Sequence, residues 1–181
     1  MDSANGSEIQ RRGYPTPLPL WSAEILFKNP KAIANIHLDY IRAGADIITT
    51  NTFRTQEYTL AKVGLAHEAE RINTLAVQLA VLAREKAAVT RPIYIAGSMT
   101  ALENCYRPDL VPDNATLVRE HTKQASVLGQ TEIDFFLLET FNTVREATIA
   151  AEAVKAVTDK PFAVSFTVDS NGRIRSGESW K

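Results

Sequence analysis

The sequence has 181 residues, of which 45% are hydrophobic and 23% are charged, and its formal net charge is −1. This balance is typical of a globular domain with a sizeable core, and it excludes a strongly basic nucleic-acid-binding chain. No run of about 18 apolar residues is present to span a membrane, and no secretory signal pattern opens the chain. A single cysteine, Cys105, rules out an intrachain disulfide framework. We therefore expect a reducing, cytoplasmic location.

The N-terminal part of the chain predicts a loop followed by two helices. Residues 1–20 are polar and rich in glycine and proline, which favours a loop. A short helix is predicted over residues 21–27. A longer helix begins at Asn29 and Pro30, an N-cap followed by proline, and ends at Gly44.

Four predicted strands alternate with helices in the rest of the chain. The third strand is apolar on both faces, which is typical of a buried parallel strand. This β-α-β alternation predicts a parallel sheet with right-handed crossovers, either in a (β/α)8 barrel or in an open doubly wound sheet. The predicted strands cover residues 46–52, 93–98, 133–139 and 162–168, and the helices cover 56–63, 68–88, 114–129 and 142–160, with Asn114 and Asn142 as N-caps of the last two.

Polar side chains follow the predicted strands, at the strand ends where α/β folds bind ligands. Thr50, Asn51 and Thr52 crowd the end of the first strand. Asn51 is suited either to hydrogen-bond a ligand carboxylate or amide, or to cap a turn. Glu139 closes the third strand after four apolar residues, so its carboxylate needs a partner, either a ligand ammonium group or a structural salt bridge.

The sequence contains no recognisable metal or nucleotide motif. No His-x-x-x-His or Cys-x-x-Cys pair occurs, and His37 and His121 lie on apolar helix faces where packing is the simplest role. Cys105 lies in the long loop of residues 99–113 without an evident base. No Gly-x-Gly-x-x-Gly or Gly-x-x-x-x-Gly-Lys motif follows a strand, so neither a dinucleotide site nor a phosphate loop is predicted.

Several blocks of sequence resemble the homocysteine S-methyltransferases, and their order and spacing match along nearly the whole chain. The block from Ala43 to Phe53, which reads Gly-Ala-Asp and then Thr-Asn-Thr-Phe, is the most specific. The matching blocks are residues 2–8, 10–13, 20–22, 43–53, 138–140, 165–168 and 175–178.

The resemblance implies a parallel (β/α)8 barrel of the TIM type, here a partial barrel of about four to five strands. It implies methyl transfer from a small methyl donor to the thiol of homocysteine, giving methionine. Asp2 and Glu139 would hold the substrate ammonium group, and Thr50, Asn51 and Thr52 would line the same pocket. In the complete family enzymes a zinc ion held by three cysteines keeps the substrate thiol deprotonated.

The chain also departs from the family pattern. The zinc cysteines of the family lie beyond the strand that ends here at Val168, and Cys105 matches none of them, so we expect this chain alone to hold no zinc. The opening motif carries Ser3, Asn5 and Ser7 where the family usually has Gly, Met and Thr. A complete barrel takes about 250 residues.

We therefore expect residues 1–181 to form a single homocysteine-binding-type domain, truncated at the C-terminus, short at the N-terminus and not competent for catalysis by itself. Open barrel edges predict self-association or a partner chain, but no nucleic-acid or membrane partner. The alternative is a catalytically inactive half-barrel that binds an amino acid or a partner chain. A weaker alternative is an unrelated (β/α)8 enzyme that shares the scaffold.

Overall fold

A computed structural model describes residues 1–179. In this part of the chain, four parallel strands form one sheet in the order β1-β2-β3-β4. Each strand lies beside the next one in sequence, as in a (β/α)8 barrel, whereas a doubly wound sheet reverses its strand order. The predicted barrel-type α/β architecture is thus confirmed. The strands are β1 Ile47–Thr49, β2 Tyr94–Thr100, β3 Phe135–Phe141 and β4 Phe162–Phe166.

Helices alternate with these strands as the sequence predicts. Single 3-10 turns, Trp21–Ala23, Ala66–Glu68 and Pro108–Leu110, lie in the connections. None of the helices within residues 1–179 is long and apolar enough to cross a membrane. The helices are α1 Asn5–Arg11, α2 Glu24–Lys28, α3 Pro30–Arg42, α4 Glu57–Ala61, α5 Ala69–Ala87, α6 Asn114–Gly129 and α7 Val144–Val157.

The structure corrects three local predictions. Residues 1–20 are not all loop, because α1 forms there around the fully buried Ile9. The N-cap of α6 is Asp113 rather than Asn114, since its carboxylate accepts a hydrogen bond from the Thr116 amide at 2.9 Å. The N-cap of α7 is likewise Thr143 rather than Asn142. In both helices two polar residues stand side by side; the bonding side chain lies one position before the predicted cap in α6 and one position after it in α7.

Two apolar clusters form the core. The larger cluster joins the sheet to α5, α6 and α7, with Ile95, Phe136 and Leu138 fully buried. The smaller cluster joins α1, α2 and α3 to α5. The outer strand β4 contrasts with its neighbours, because residues 163–165 are exposed.

Candidate functional site

A cleft of about 370 Å³ opens at the carboxyl ends of β1 and β3. The N-terminal segment and the loop after β2 form its remaining walls. Because the strands are parallel, this is the end of the sheet where barrel folds place their active sites. The cleft is lined by Met1, Asp2, Ser3, Ala4, Asn5, Gly6, Ser7, Trp21, Ser22, Thr49, Thr50, Asn51, Phe53, Tyr106, Glu139 and Thr140.

Asp2 is fixed against the end of β1 by three hydrogen bonds. Its backbone amide donates to the Ile47 carbonyl at 2.8 Å. Its carboxylate accepts from the Thr49 amide at 2.8 Å and from the Thr49 hydroxyl at 2.9 Å. Burial raises the pKa of Asp2, and the two bonds from Thr49 offset part of that rise. The carboxylate is therefore held in place but only partly compensated.

Glu139 reaches the cleft where β3 is irregular. The pairing of β3 with β4 shifts register between Leu138 and Phe141, and Thr140 has a φ of 60°. The Ser98 hydroxyl at the end of β2 donates to Glu139 Oε1 at 2.6 Å. Burial raises the pKa of Glu139, the bond from Ser98 lowers it, and the charge of Asp2 raises it again. The two carboxylates thus interact across one cleft.

Two amide oxygens add to this excess of acceptors. The Asn51 side chain donates to the Ser22 carbonyl at 2.8 Å, and the Asn5 side chain donates to the Thr49 carbonyl at 3.0 Å. These two bonds fix which end of each side-chain amide is the NH₂ group. The other end, the Oδ1 atom, is buried without a partner in both residues. Asn51 therefore both holds a backbone turn and keeps a free acceptor.

The two acids are poorly neutralised in the described part of the chain, where the only cation that lowers the pKa of Asp2 is the N-terminal ammonium group. Within residues 1–179, neither Asp2 nor Glu139 forms an ion pair with a lysine, arginine or histidine side chain. Two carboxylates and two free amide oxygens at one cleft match a ligand that carries several N–H donors and a positive charge, such as a primary ammonium group.

Thr50 and Thr52 make different contributions. The Thr52 hydroxyl donates to the Ser98 carbonyl at 2.6 Å, so Thr50 is the donor in their mutual hydrogen bond of 2.8 Å. Thr50 also accepts from the Ser98 amide at 3.1 Å. Both hydroxyls therefore tie β1 to β2. Thr50 lines the cleft and Thr52 does not, so contact of these two threonines with a ligand stays a prediction.

Sequence reasoning missed some of the cleft walls. Trp21 and Thr140 both line the cleft with positive φ, 50° and 60°, and such strained residues cluster at functional sites. A Cβ added at Gly6 would lie 2.3 Å from Trp21 Nε1, so only glycine admits the indole there. Tyr106, 61% exposed, forms the outer wall. Residues 20–22 were among the blocks that resemble the family, but the resemblance implied no function for Trp21.

The residues present do not fit the zinc site that the resemblance implies. In the described part of the chain, no three His, Cys, Asp or Glu side chains are placed to hold a metal ion. Burial raises the pKa of the Cys105 thiol, which disfavours the thiolate that zinc binds.

The two candidate histidines are packed, as predicted. His37 is fully buried, and burial lowers its pKa to about 4. His121 is also fully buried, with Nε2 3.2 Å from Glu146 Oε1. Neither residue is available as a metal ligand in this arrangement.

Comparison with known proteins places this geometry in a family. The sequence model described as homocysteine S-methyltransferase matches residues 1–181. The chain is 28% identical over 191 residues to homocysteine S-methyltransferase YbgG of Bacillus subtilis, covering 98% of this chain and 61% of that protein. It is 27% identical over 165 residues to S-methylmethionine--homocysteine S-methyltransferase BHMT2 of Pongo abelii, covering 91% of this chain and 41% of that protein.

A solved structure agrees with these matches. The crystal structure of the homocysteine methyltransferase MmuM from Escherichia coli, in its metallated form, superimposes with a TM-score of 0.86 at 27% identity. The superposition covers 98% of this chain and 65% of MmuM. The chain therefore spans less than two thirds of the length of each protein compared.

Proposed function

The chain belongs to the homocysteine S-methyltransferase family, and we propose that its cleft binds the amino-acid end of homocysteine. The reaction it serves is transfer of a methyl group from a small donor to the homocysteine thiol, giving methionine. The observation that carries this proposal is the pair of carboxylates, Asp2 and Glu139, which line one cleft and form no ion pair with a basic side chain within residues 1–179.

The chemistry of the pair favours an ammonium group. Burial raises the pKa of both acids and thus disfavours their ionised forms. A substrate ammonium supplies three N–H donors and one positive charge, which stabilise both ionised carboxylates and screen their repulsion. The free oxygens of Asn5 and Asn51 are further acceptors for the same group.

Within residues 1–179 the protein's part in the reaction is to bind and orient the substrate. Methyl transfer forms a sulfur–carbon bond, breaks the bond between the methyl group and the donor, and needs the substrate thiol as a thiolate. The zinc of the complete family enzymes would supply that thiolate, but the described residues offer no site for it, so we assign no step to the metal.

A second candidate function is amino-acid binding without catalysis. It is favoured by the same observation, that no metal-holding group occurs in the described residues. Loss of catalysis would leave the ammonium site unchanged, so both candidates predict homocysteine binding. They differ in whether zinc strengthens that binding.

We also propose that β4 mediates self-association or binds a partner chain. It is the outer strand of the sheet in residues 1–179, and Ala163, Val164 and Ser165 are exposed along it. An exposed strand edge presents unpaired backbone groups that another strand can pair. Analytical ultracentrifugation of the chain and of a Val164→Lys variant would test this, because a lysine there should shift an assembly towards monomer.

The ammonium proposal is tested by removing that group from the ligand. Calorimetric titration should show that L-homocysteine binds and that 4-sulfanylbutanoate, the same molecule without its amino group, binds at least about tenfold more weakly. Equal affinity for the two compounds would contradict the proposal. Repeating the L-homocysteine titration with added zinc separates the two candidate functions.

A further inference from the structure

Arg54 is a buried cation without a partner. It is 9% exposed, and its Nε is buried with no hydrogen-bond acceptor. Across residues 1–179 its guanidinium forms no hydrogen bond or ion pair, and its one ring contact is with Phe53, whose centroid lies 5.8 Å from Cζ. A buried charge is costly unless it is paired. Such a residue is expected to meet an anion when the protein works.

The neighbouring groups do not provide that anion. Glu103 is close enough to raise the pKa of Arg54, but its Oε1 already accepts from the Tyr58 hydroxyl at 2.8 Å and from Lys62 Nζ at 2.6 Å. Cys105 is the other neighbour, and burial raises the pKa of its thiol, which keeps it protonated at neutral pH. Within residues 1–179, Arg54 therefore has no carboxylate bonded to it.

The position of Arg54 connects it to the cleft. Phe53 lines the cleft beside it, and Cys105, whose pKa Arg54 lowers, also interacts with the hydroxyl of the cleft residue Thr140. Arg175 lies over the ring of Tyr106, 5.5 Å from its centroid, and also lowers the pKa of Cys105. Both arginines therefore lie next to residues that line the cleft, although neither lines it directly, whereas the two acids do.

We propose that Arg54 is the anion-binding residue of this cleft and that the ligand group it takes is a carboxylate. The planar guanidinium fork matches a carboxylate with two parallel hydrogen bonds, which an ammonium group does not. The source of the carboxylate is either homocysteine itself or the methyl donor. That assignment to a substrate rests on the proposed function, whereas the anion site does not.

The anion site is tested with a carboxylate that has no ammonium group. Calorimetric titration of the full chain with N-acetylglycine should show binding that weakens by about tenfold or more in Arg54→Met, which keeps an apolar stem and removes the charge. Arg107→Met is the matched control, because Arg107 is exposed, lies in the adjoining loop and is already paired with Asp109 at 2.6 Å. The control should bind N-acetylglycine as the unmodified chain does.

A second variant keeps the test valid if Arg54→Met does not fold. Arg54→Lys retains the charge but loses the planar fork, so its affinity for N-acetylglycine should fall between those of the unmodified chain and of a chain without the charge. No binding by the unmodified chain, or equal affinity in Arg54→Lys, Arg54→Met and Arg107→Met, would overturn the anion site.

Two further titrations identify the source of the carboxylate. If it belongs to homocysteine, Arg54→Met weakens L-homocysteine but not 3-aminopropane-1-thiol, which is homocysteine without its carboxylate. If it belongs to the donor, Arg54→Met leaves homocysteine unchanged and weakens S-methylmethionine added to the homocysteine complex. No change in either titration overturns the assignment to a substrate. Binding of N-acetylglycine without binding of homocysteine would instead refute the proposed function and leave the anion site standing.

Discussion

Two groups of buried polar side chains show opposite patterns of hydrogen bonding. Between α5 and α6, the Asn73 side chain donates to the Thr55 carbonyl at 2.9 Å and to the Ala69 carbonyl at 2.8 Å. Its Oδ1 accepts from the Thr55 hydroxyl at 2.7 Å and from the Gln124 amide at 3.2 Å. Within that network only Gln124 Oε1 lacks a partner. At the cleft, by contrast, the Oδ1 atoms of Asn5 and Asn51 lack donors, and the two carboxylates have no ion pair with a basic side chain within residues 1–179. Saturated networks stabilise a fold, whereas an unsaturated one at a cleft indicates a ligand.

The largest expected effect lies in the saturated network. Asn73→Ala should lower the free energy of unfolding by about 3 kcal/mol, because it removes the four hydrogen bonds that Asn73 makes in the core. Chemical denaturation measures this loss. The exposed Asn35 provides the control variant Asn35→Ala, which should change stability by less than about 0.5 kcal/mol. Similar losses in the two variants would remove the contrast between the network and the surface.

A smaller effect is expected at the junction of the two patterns, where Ser98 supports Glu139. Ser98→Ala removes the donor to Glu139 Oε1, so the pKa of Glu139 should rise further. Homocysteine affinity should fall by about threefold to tenfold, while stability changes by about 1 kcal/mol. Ser126→Ala, which removes a hydroxyl bonded within α6, is the control. An unchanged affinity in Ser98→Ala would mean that this bond does not set the charge of Glu139.

The smallest signal is a proton released on binding. Because the pKa values of Asp2 and Glu139 are raised, these acids bind protons more tightly than free carboxyl groups do, and an ammonium ligand should displace such protons. Calorimetry at mildly acidic pH, in two buffers of different ionisation enthalpy, should show net release. Uptake of protons, or none exchanged, would contradict the ammonium assignment.

The same raised pKa values fix the sign of the pH effect on stability. The folded, ligand-free chain binds protons at these acids more tightly than the unfolded chain does. Their contribution to stability is therefore complete below the unfolded pKa values and is lost as pH rises through the folded ones.

The sequence predicted the sheet better than it predicted the cleft walls. Glu139 was predictable because four apolar residues precede it, and Asp2 was implied by the resemblance. The place of Asn5 in the cleft was not predictable. Its bond to the Thr49 carbonyl spans 44 positions and depends on how the N-terminal segment folds back over β1. α1 was missed for a similar reason, since Gly6 argues against a helix locally while its packing against Trp21 requires glycine.

Arg54 illustrates a further limit of sequence reasoning. An arginine in a polar loop is ordinarily solvated, and nothing in its neighbours along the chain marks it as buried. Its burial and lack of a partner arise from loops that come together only in the fold. For zinc, by contrast, the sequence was sufficient by itself, because a single cysteine excludes a site of three cysteines within this chain.

The central claim is that Asp2 and Glu139 together hold a substrate ammonium group. The most direct test is calorimetric titration of L-homocysteine into the unmodified chain and into the Asp2→Asn/Glu139→Gln double variant, with melting curves to verify folding. The account predicts that the variant stays folded and binds homocysteine at least about a hundredfold more weakly, since charge-assisted hydrogen bonds contribute about 1.5–3 kcal/mol each. A folded double variant that binds homocysteine with unchanged affinity would contradict it.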